Sequence, residues 1–419
     1  MASNRSIRFS QTRVNFLPVH PMALVDRILA DPTLAAGRRE PFARFCEMLR
    51  ARFHFESLAT ADRLGMLFDP FDPDRDTLPL RDLSDEDRAS AKKEFESLLG
   101  ALLTQGNYRE LAPEEIAECI EAQSSLRVKV FVDLSRFDTM RVFYRGLQIT
   151  QKRVRSWRTG WLPGIVDVQA FSRLAVLVGF RRDEEDRLIL KLFKNVIVED
   201  LETVAPDIRL RMPLLDRLRV GGTLLGGIVM PGVKLLSAIA ISPWLVATVA
   251  IGFSTACLKT VFSFLGTKTR YMQKLSSCLY FQCLANNSSA LTRLVQAAKD
   301  EEFKESLLAY FLLQRDRDAS WTRTTLDAAV EEWLIEAFGL TSVDFEIDDA
   351  LRKLREKGLI QESFQIEGEE PAILPLDIPA ALRHLDEWWD NRFQYYQAKG
   401  EPALPRPMCS RTSRPETTG

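Results

Sequence analysis

The sequence predicts a mixed α+β membrane protein: a helical N-terminal region with a small antiparallel sheet, a two-helix transmembrane hairpin, and a winged-helix-like C-terminal α+β domain. Three observations support this fold class. Residues 235–258 carry no charge, the hydrophobic period changes from helical to strand-like after residue 125, and three predicted helices precede a β-ribbon near the end. The chain of 419 residues is long enough for about two or three domains.

The apolar stretch between Arg219 and Arg270 organises the prediction. Its charge-free part corresponds to about 36 Å of helix, which exceeds a hydrocarbon core of about 30 Å. Basic residues flank both ends, so an even number of spans keeps both flanks on one side of a membrane. We therefore predict spans at about 222–241 and 243–264. Two alternatives stay open: one span preceded by an interfacial segment, because Lys234 interrupts the first span, and a hairpin buried inside a soluble protein. Small residues allow the two spans to pack closely, at Gly222, Gly226, Gly252 and Ala256.

Before this stretch, the chain is predicted to pass from helices to a sheet. Residues 1–125 carry helical periodicity and start signals, such as Pro113 followed by two glutamates. The predicted helices lie at about 22–29, 40–55, 84–104 and 113–122. Residues 126–205 alternate apolar and polar side chains, which indicates a small antiparallel sheet. Its predicted strands lie at about 127–132, 140–147, 174–180 and 188–198.

The hairpin region, 206–270, is followed by a second helical domain at 271–398 and by a tail at 399–419 with the composition of a disordered segment. Two of the predicted helices lie at 290–299 and 301–313. The last helices and ribbon have the order of a winged helix. Its would-be recognition helix begins with Glu346, Asp348 and Asp349, and carboxylates there repel DNA phosphates. We therefore expect protein contact and no nucleic acid.

No residue set in the sequence forms a recognisable catalytic, cofactor or metal site. The three histidines lie far apart, and the six cysteines have no paired spacing, which argues against a zinc site. Asp72, Asp74 and Asp76 alternate as in a calcium loop, but Thr77 replaces the required glycine and Leu83 the final glutamate. This departure favours a surface turn. A net charge of -2 argues against general polyanion binding.

Four residues are candidates for a function. Lys234 is the one charge inside the first predicted span, and Pro231 before it frees a backbone carbonyl. The lysine either serves a function inside the membrane or extends to lipid phosphate. Asn286 and Asn287 follow an aromatic-rich predicted helix and either bind a polar ligand or cap that helix and begin the next one.

Six segments together resemble one family of membrane proteins of unknown function, which includes transmembrane protein 143. In order, they are YRGL (144–147), LKLFKNV (190–196), RMPLLDRL (211–218), LYFQCLANN (279–287), ESLLAYFLL (305–313) and DFEIDDALRKL (344–354). The resemblance covers about Phe16 to Tyr396. It implies a paired transmembrane segment between two soluble parts, and it brings no activity and no catalytic residue.

These observations predict a membrane-anchored scaffold or regulatory protein with both soluble domains on one membrane face. We expect a bacterial inner membrane or a mitochondrial membrane, with unpaired thiols in a reducing compartment. The expected partners are the lipid bilayer and another protein or a second copy of the chain, without a cofactor. Two alternatives stay open: an oligomeric pore or carrier subunit lined by the hairpin, and an unrecognised membrane-bound enzyme, which requires a cleft with converging titratable groups.

Overall fold

A computed structural model describes residues 13–78, 83–121, 130–132, 137–155, 163–180, 186–204, 208–210, 280–317, 320–363 and 370–392, with 269, 272–273 and 276–277. The helices in these parts are α1 (Pro21–Leu29), α2 (Ala36–Phe68), α3 (Asp85–Gln105), α4 (Pro113–Glu121), α5 (Asn287–Arg315), α6 (Arg323–Phe338), α7 (Ile347–Glu356) and α8 (Ile378–Arg392). The strands are β1 (Arg109–Glu110), β2 (Val130–Val132), β3 (Phe137–Arg155), β4 (Pro163–Phe180), β5 (Leu188–Ile197), β6 (Ile208–Leu210), β7 (Cys283–Asn286), β8 (Ile360–Ser363) and β9 (Ala372–Pro375).

The main sheet has five strands in the order β1-β3-β4-β5-β7, and every neighbouring pair is antiparallel. Strands β3 and β4 form a long hairpin whose pairing runs from Phe137 opposite Phe180 to Arg155 opposite Pro163. The mixed α+β class and the antiparallel sheet agree with the sequence prediction. The strands at 137–155 and 163–180 are longer than predicted. Their outer ends, at 148–151 and 164–169, have no buried side chains and so do not form the half-buried face on which the prediction relies.

Helices and a short turn cover the two faces of this sheet, since alternate residues of each strand point to opposite sides. Phe143, Leu177 and Leu190 pack with the end of α2, with α3 and with the first half of α5. The opposite face, with Val142 and Phe193, packs against α4 and a 3-10 turn after β5. We call the sheet with α3 and α4 the sheet lobe.

Helices α6 and α7, the ribbon β8–β9, and α1 and α8 form a second lobe, which we call the winged-helix lobe. With α5 as its first helix, it has the element order of a winged helix. Helix α8 packs on α2, where the Trp388 ring lies 5.9 Å from the Phe55 ring and the Arg52 guanidinium lies 4.6 Å from the Trp388 centroid. The terminal aromatic residues of α8 that are described therefore pack against the protein.

Helices α2 and α5 belong to both lobes. The first half of α5 packs in the core of the sheet lobe, and its second half packs in the core of the winged-helix lobe. Every residue from Phe303 to Gln314 is buried, and Leu307–Leu313 have no exposed surface. A helix buried on all sides lies at the centre of a protein core. The two predicted helices at 290–299 and 301–313 are therefore one continuous helix of 29 residues.

The predicted transmembrane hairpin, at about 222–241 and 243–264, and the predicted integral membrane location are wrong. In the part of the chain that the structure describes, no helix is both long and apolar enough to span a bilayer. The longest, α2 with 33 residues and α5 with 29, carry charged side chains along their length. The stretch itself lies outside the described residues. The absence of charge shows that a segment is apolar, and an apolar segment is buried either in a membrane or in a protein core. Leu307–Leu313 form a shorter charge-free run, and this run is buried inside the protein.

The start of α5 is held by the turn that resembles a calcium loop. Asn287 has a left-handed backbone with φ of 46°, and its Nδ2 donates to Asp74 Oδ2 at 2.6 Å. Its Oδ1 accepts from the backbone N–H of Leu190 on β5 at 3.1 Å. Ser288 Oγ donates to Asp72 Oδ2 at 2.7 Å. The alternating carboxylates therefore bind the positive end of a helix, where negative charge is favourable.

Replacing Asn287 with alanine is expected to lower the free energy of unfolding by about 2–4 kcal/mol, because two buried hydrogen bonds are lost and alanine is strained at positive φ. Chemical denaturation measures this change. Asn286→Ala is the matched control: the Asn286 side chain is exposed, so its change stays within about 0.5 kcal/mol. An N287A protein as stable as the wild type would contradict the role of this turn.

Candidate functional site

A groove of about 560 Å³ lies where the sheet lobe meets the winged-helix lobe. Thr104 and Gln105 at the end of α3 form one wall, and α6, α7 and the segment before α7 form the other. Its volume falls within the range of about 300–1,000 Å³ that is common for ligand sites. We call it the interlobe groove. Its charged lining residues are Asp327, Asp344, Glu346, Asp348, Asp349, Arg323 and Arg352.

The sequence before α7 explains why carboxylates line this groove. Residues 343–348 alternate apolar and acidic side chains, and extended backbone places alternate residues on opposite sides. The apolar members are buried in the core of the winged-helix lobe, whereas Asp344, Glu346 and Asp348 are exposed. Asp349 follows in the first turn of α7, where the helix dipole favours a carboxylate.

Both arginines of the groove are already engaged with carboxylates. Arg323 forms an ion pair with Asp348, and Arg352 pairs with Asp349 and with Glu356. Arg13 and Lys353 also contact Asp344 and Asp349, so four cations face the five groove carboxylates, and one negative charge is left in excess. The arrangement therefore suits the binding of a cationic group.

Asp327 is the groove carboxylate with the least compensation. Burial raises the pKa of Asp327, and the nearby Glu331 and Asp344 carboxylates raise this pKa further. Its Oδ1 atom is buried and accepts no hydrogen bond from the residues that the structure describes. A cation placed beside Asp327 therefore relieves charge repulsion.

The chain itself shows how an extended segment binds beside this groove. The Val14 N–H donates to the Ser342 carbonyl at 2.8 Å, and the Asp344 N–H donates to the Val14 carbonyl at 3.0 Å. The Arg13 guanidinium lies 2.9 Å from a Glu331 oxygen and 3.4 Å from an Asp344 oxygen. Backbone pairing and an arginine–carboxylate contact thus occur together at the rim.

Behind the groove, α5 places charged side chains in the protein interior. Glu301 Oε1 accepts from Lys304 Nζ at 2.8 Å and from Arg145 of β3 at 3.3 Å. Glu301 Oε2 accepts from the backbone N–H of Leu17 at 3.1 Å, and Lys304 donates to the Leu17 carbonyl. Glu301 is therefore paired with two cations and is hydrogen-bonded to the N-terminal segment.

The second buried carboxylate, Glu305, is only 2% exposed. Its Oε1 accepts from Asn107 Nδ2 at 2.7 Å, and its Oε2 lies 3.2 Å from Lys353 Nζ. Lys353 is also shared with Glu302, at 3.5 Å, and contacts Asp349 at the groove. One ammonium group therefore serves three carboxylates.

Burial, partly offset by the cations, determines how the three carboxyl groups titrate. Burial raises the pKa of Glu305 to about 7, although Lys353 and Asn107 act in the opposite direction. Burial also raises the pKa of Glu302. Burial favours a higher pKa for Asp349 as well, but Lys353 and Arg352 outweigh it and hold the pKa of Asp349 below its usual range. Glu305, the most buried of the three, is thus the carboxyl that stays protonated up to a pH of about 7.

The structure does not bring the sequence-predicted site residues together. Asn287 holds the start of α5, and Asn286 occupies the N-cap position without a side-chain capping bond. Neither residue lines the interlobe groove. The other candidates lie outside the described residues: Lys234, Pro231, Gly222, Gly226, Gly252 and Ala256.

Sequence reasoning missed the groove and the buried cluster. A signal for the cluster was present, since Glu301, Glu302, Lys304 and Glu305 stand directly before an apolar helical run. Among the described residues, no group of three histidine, cysteine, aspartate or glutamate side chains is placed to hold a metal ion.

Residues 167–289 match a family described as "Protein of unknown function (DUF3754)". The match covers under a third of the 419 residues, including most of β4, all of β5 and β7, and the start of α5. The chain is similar to this family over that region, which excludes the interlobe groove. No solved protein structure matches the chain. The resemblance inferred from the six sequence segments stays a prediction.

The buried Glu305 gives an expected pH dependence of stability. Because its folded pKa of about 7 lies above its ordinary value of 4.5, the folded state binds this proton more tightly than the unfolded state. The resulting stabilisation is fully present below pH 4.5 and is lost as the pH rises through 7. Glu305→Gln is expected to remove this decline, which amounts to at most about 3 kcal/mol.

Denaturant unfolding of wild type and E305Q between pH 5 and 8 measures this effect. Glu336→Gln on α6 is the control, because Glu336 is exposed and its neutralisation leaves the pH profile of the wild type in place. Parallel pH profiles for E305Q and wild type would contradict the assignment.

Proposed function

We propose that this protein is a scaffold or regulatory protein whose interlobe groove binds an extended, arginine- or lysine-bearing segment of a partner protein. The observation that carries the proposal is the excess of carboxylates in a groove between two lobes that share α2 and α5. Complementary charge steers a partner to such a surface and selects against acidic partners.

The charges of the groove support a guanidinium or ammonium ligand. Within the described parts of the chain, the Oδ1 oxygen of Asp327 accepts no hydrogen bond. The side chain of Glu346 accepts one described hydrogen bond, at 2.8 Å, from the neutral amide of Asn15. Arginine suits such carboxylates because its planar fork forms two parallel hydrogen bonds. A partially enclosed groove strengthens these interactions relative to open water.

The backbone contacts at the rim support an extended ligand. Residues 13–15 already lie beside 342–346 with two main-chain hydrogen bonds and with Arg13 between Glu331 and Asp344. Addition of an extended peptide to exposed backbone is a common mode of recognition, in which side-chain pockets supply specificity. The acidic start of α7 also disfavours insertion of this helix into the major groove of DNA, as the recognition helix of a DNA-binding winged helix does.

The scaffold role is supported by the way the site is built. The groove is lined by residues on helices or directly before one, and both lobes pack on the same two long helices. Sites on such elements hold their geometry better than sites on free loops. The protein thus offers a preformed surface to its partner.

A short blocked peptide of alternating glycine and arginine is expected to bind, with an affinity that falls as salt rises. The double variant Asp327→Asn and Glu346→Gln is expected to bind at least about tenfold more weakly, which corresponds to about 1.4 kcal/mol. Isothermal titration calorimetry at low ionic strength measures both affinities.

The matched control is the double variant Glu332→Gln and Glu336→Gln, which changes the net charge equally at exposed positions outside the groove. Its affinity is expected to stay within about twofold of the wild type. An equal loss in both double variants would show that net charge, rather than the groove, attracts the peptide. The absence of binding to the wild type would contradict the proposal outright.

A further inference from the structure

We propose that binding of a cationic segment in the interlobe groove releases a proton from Glu305, with Lys353 as the group shared between the groove and the interior. This inference rests on the proposed function, and it adds a regulation of the same site: binding strengthens as the pH rises.

The position of Lys353 makes this coupling possible. Its ammonium group contacts Asp349, which lines the groove, and it also lies 3.2 Å from Glu305 and 3.5 Å from Glu302. The Lys353 side chain is 3% exposed, so it has no water to replace a lost carboxylate partner. Its charge is therefore divided among these three carboxylates.

The surroundings of Glu305 come from three elements. Its own helix contributes Glu301 and Glu302, α7 contributes Lys353 and Asp349, and the turn after α3 contributes the neutral Asn107 amide. Lys304 and Arg145 compensate Glu301. Lys353 is therefore the cation whose redistribution most directly changes the charge balance at Glu305.

Two arrangements of this cluster follow. In the empty groove, Lys353 and Arg352 together offset the charge of Asp349, and Glu305 is about half protonated at pH 7 because burial raises its pKa to about 7. When a guanidinium of the bound segment pairs with Asp349, more of the Lys353 charge is available to Glu305. The Glu305 carboxyl then loses its proton to water, and the carboxylate forms the ion pair with Lys353.

The coupling is reciprocal, since a ligand that lowers proton affinity must itself bind more tightly when the proton is absent. Arginine does not titrate below about pH 12, so an arginine peptide with blocked ends contributes no protons itself. Asp327 also faces the groove, and its pKa is likewise raised above its ordinary value of 3.8. It is therefore a second carboxyl whose protonation can change when a cation binds. The comparison of wild type with a Glu305 variant separates the two carboxyl groups.

The test is calorimetry of the full chain with the blocked glycine–arginine peptide at pH 7, in buffers that differ in their heat of ionisation. The wild type is expected to release about half a proton per peptide bound. Its affinity is expected to rise about threefold or more from pH 6 to 8. In Glu305→Gln, the release is expected to vanish, and the affinity is expected to stay near the low-pH value. Glu336→Gln is expected to behave as the wild type.

The outcomes are distinguishable. Peptide binding by the wild type without proton release, or with equal affinity at pH 6 and 8, overturns this inference and leaves the proposed function standing. Equal proton release by the wild type and a folded E305Q protein overturns the assignment to Glu305. Absence of binding at every pH overturns the proposed function and this inference together. If E305Q does not fold, Asp327→Asn separates the two carboxyl groups instead: release that persists in this variant supports Glu305, and release that vanishes overturns the assignment.

Discussion

Buried charges on α5 constrain the arrangement of the elements around it. Glu301, Lys304 and Glu305 lie in the interior, and a buried charge without a partner costs several kcal/mol. Their partners come from the N-terminal segment at Leu17, from β3, from the turn after α3 and from α7. Each of these elements must be in place for the helix to be buried. The cluster therefore selects one arrangement of the two lobes.

This constraint also explains where the interlobe groove lies. Lys353 reaches inward from α7 to one oxygen of Glu305, and Asn107 in the turn after α3 donates to the other, so α7 and the end of α3 lie next to each other. The acidic side chains before α7 then face the space between the lobes. The apolar residues that alternate with them are buried in the core of the winged-helix lobe. Glu305, which binds Lys353 with one oxygen and Asn107 with the other, thus links the two lobes beside a surface suited to a cationic partner.

Local signals in the sequence predicted much of the fold. Ser84 caps α3 through its side chain, Pro113 begins α4, and the alternating residues of 188–197 form a strand. Non-local pairing is what the sequence did not reveal. Two helices are predicted at 290–299 and 301–313, whereas α5 runs unbroken through Asp300 and Glu301, and Arg145 of β3 pairs with Glu301. The local pattern of Asn286 and Asn287 is typical of a helix boundary, but it does not reveal Asp74, the partner of Asn287 that lies 213 positions away. The groove joins residues as distant as Thr104 and Asp349, for which no local pattern exists.

Native-state hydrogen exchange of α5 tests the central claim most directly, namely that the buried charges unite the two lobes around one helix. The account predicts that the amides of Ala290–Ala298 and of Phe303–Leu313 exchange only through global unfolding, with one common free energy of opening. Exchange of the first half at a free energy about 2 kcal/mol or more below that of the second half would show two independent lobes and would contradict the account.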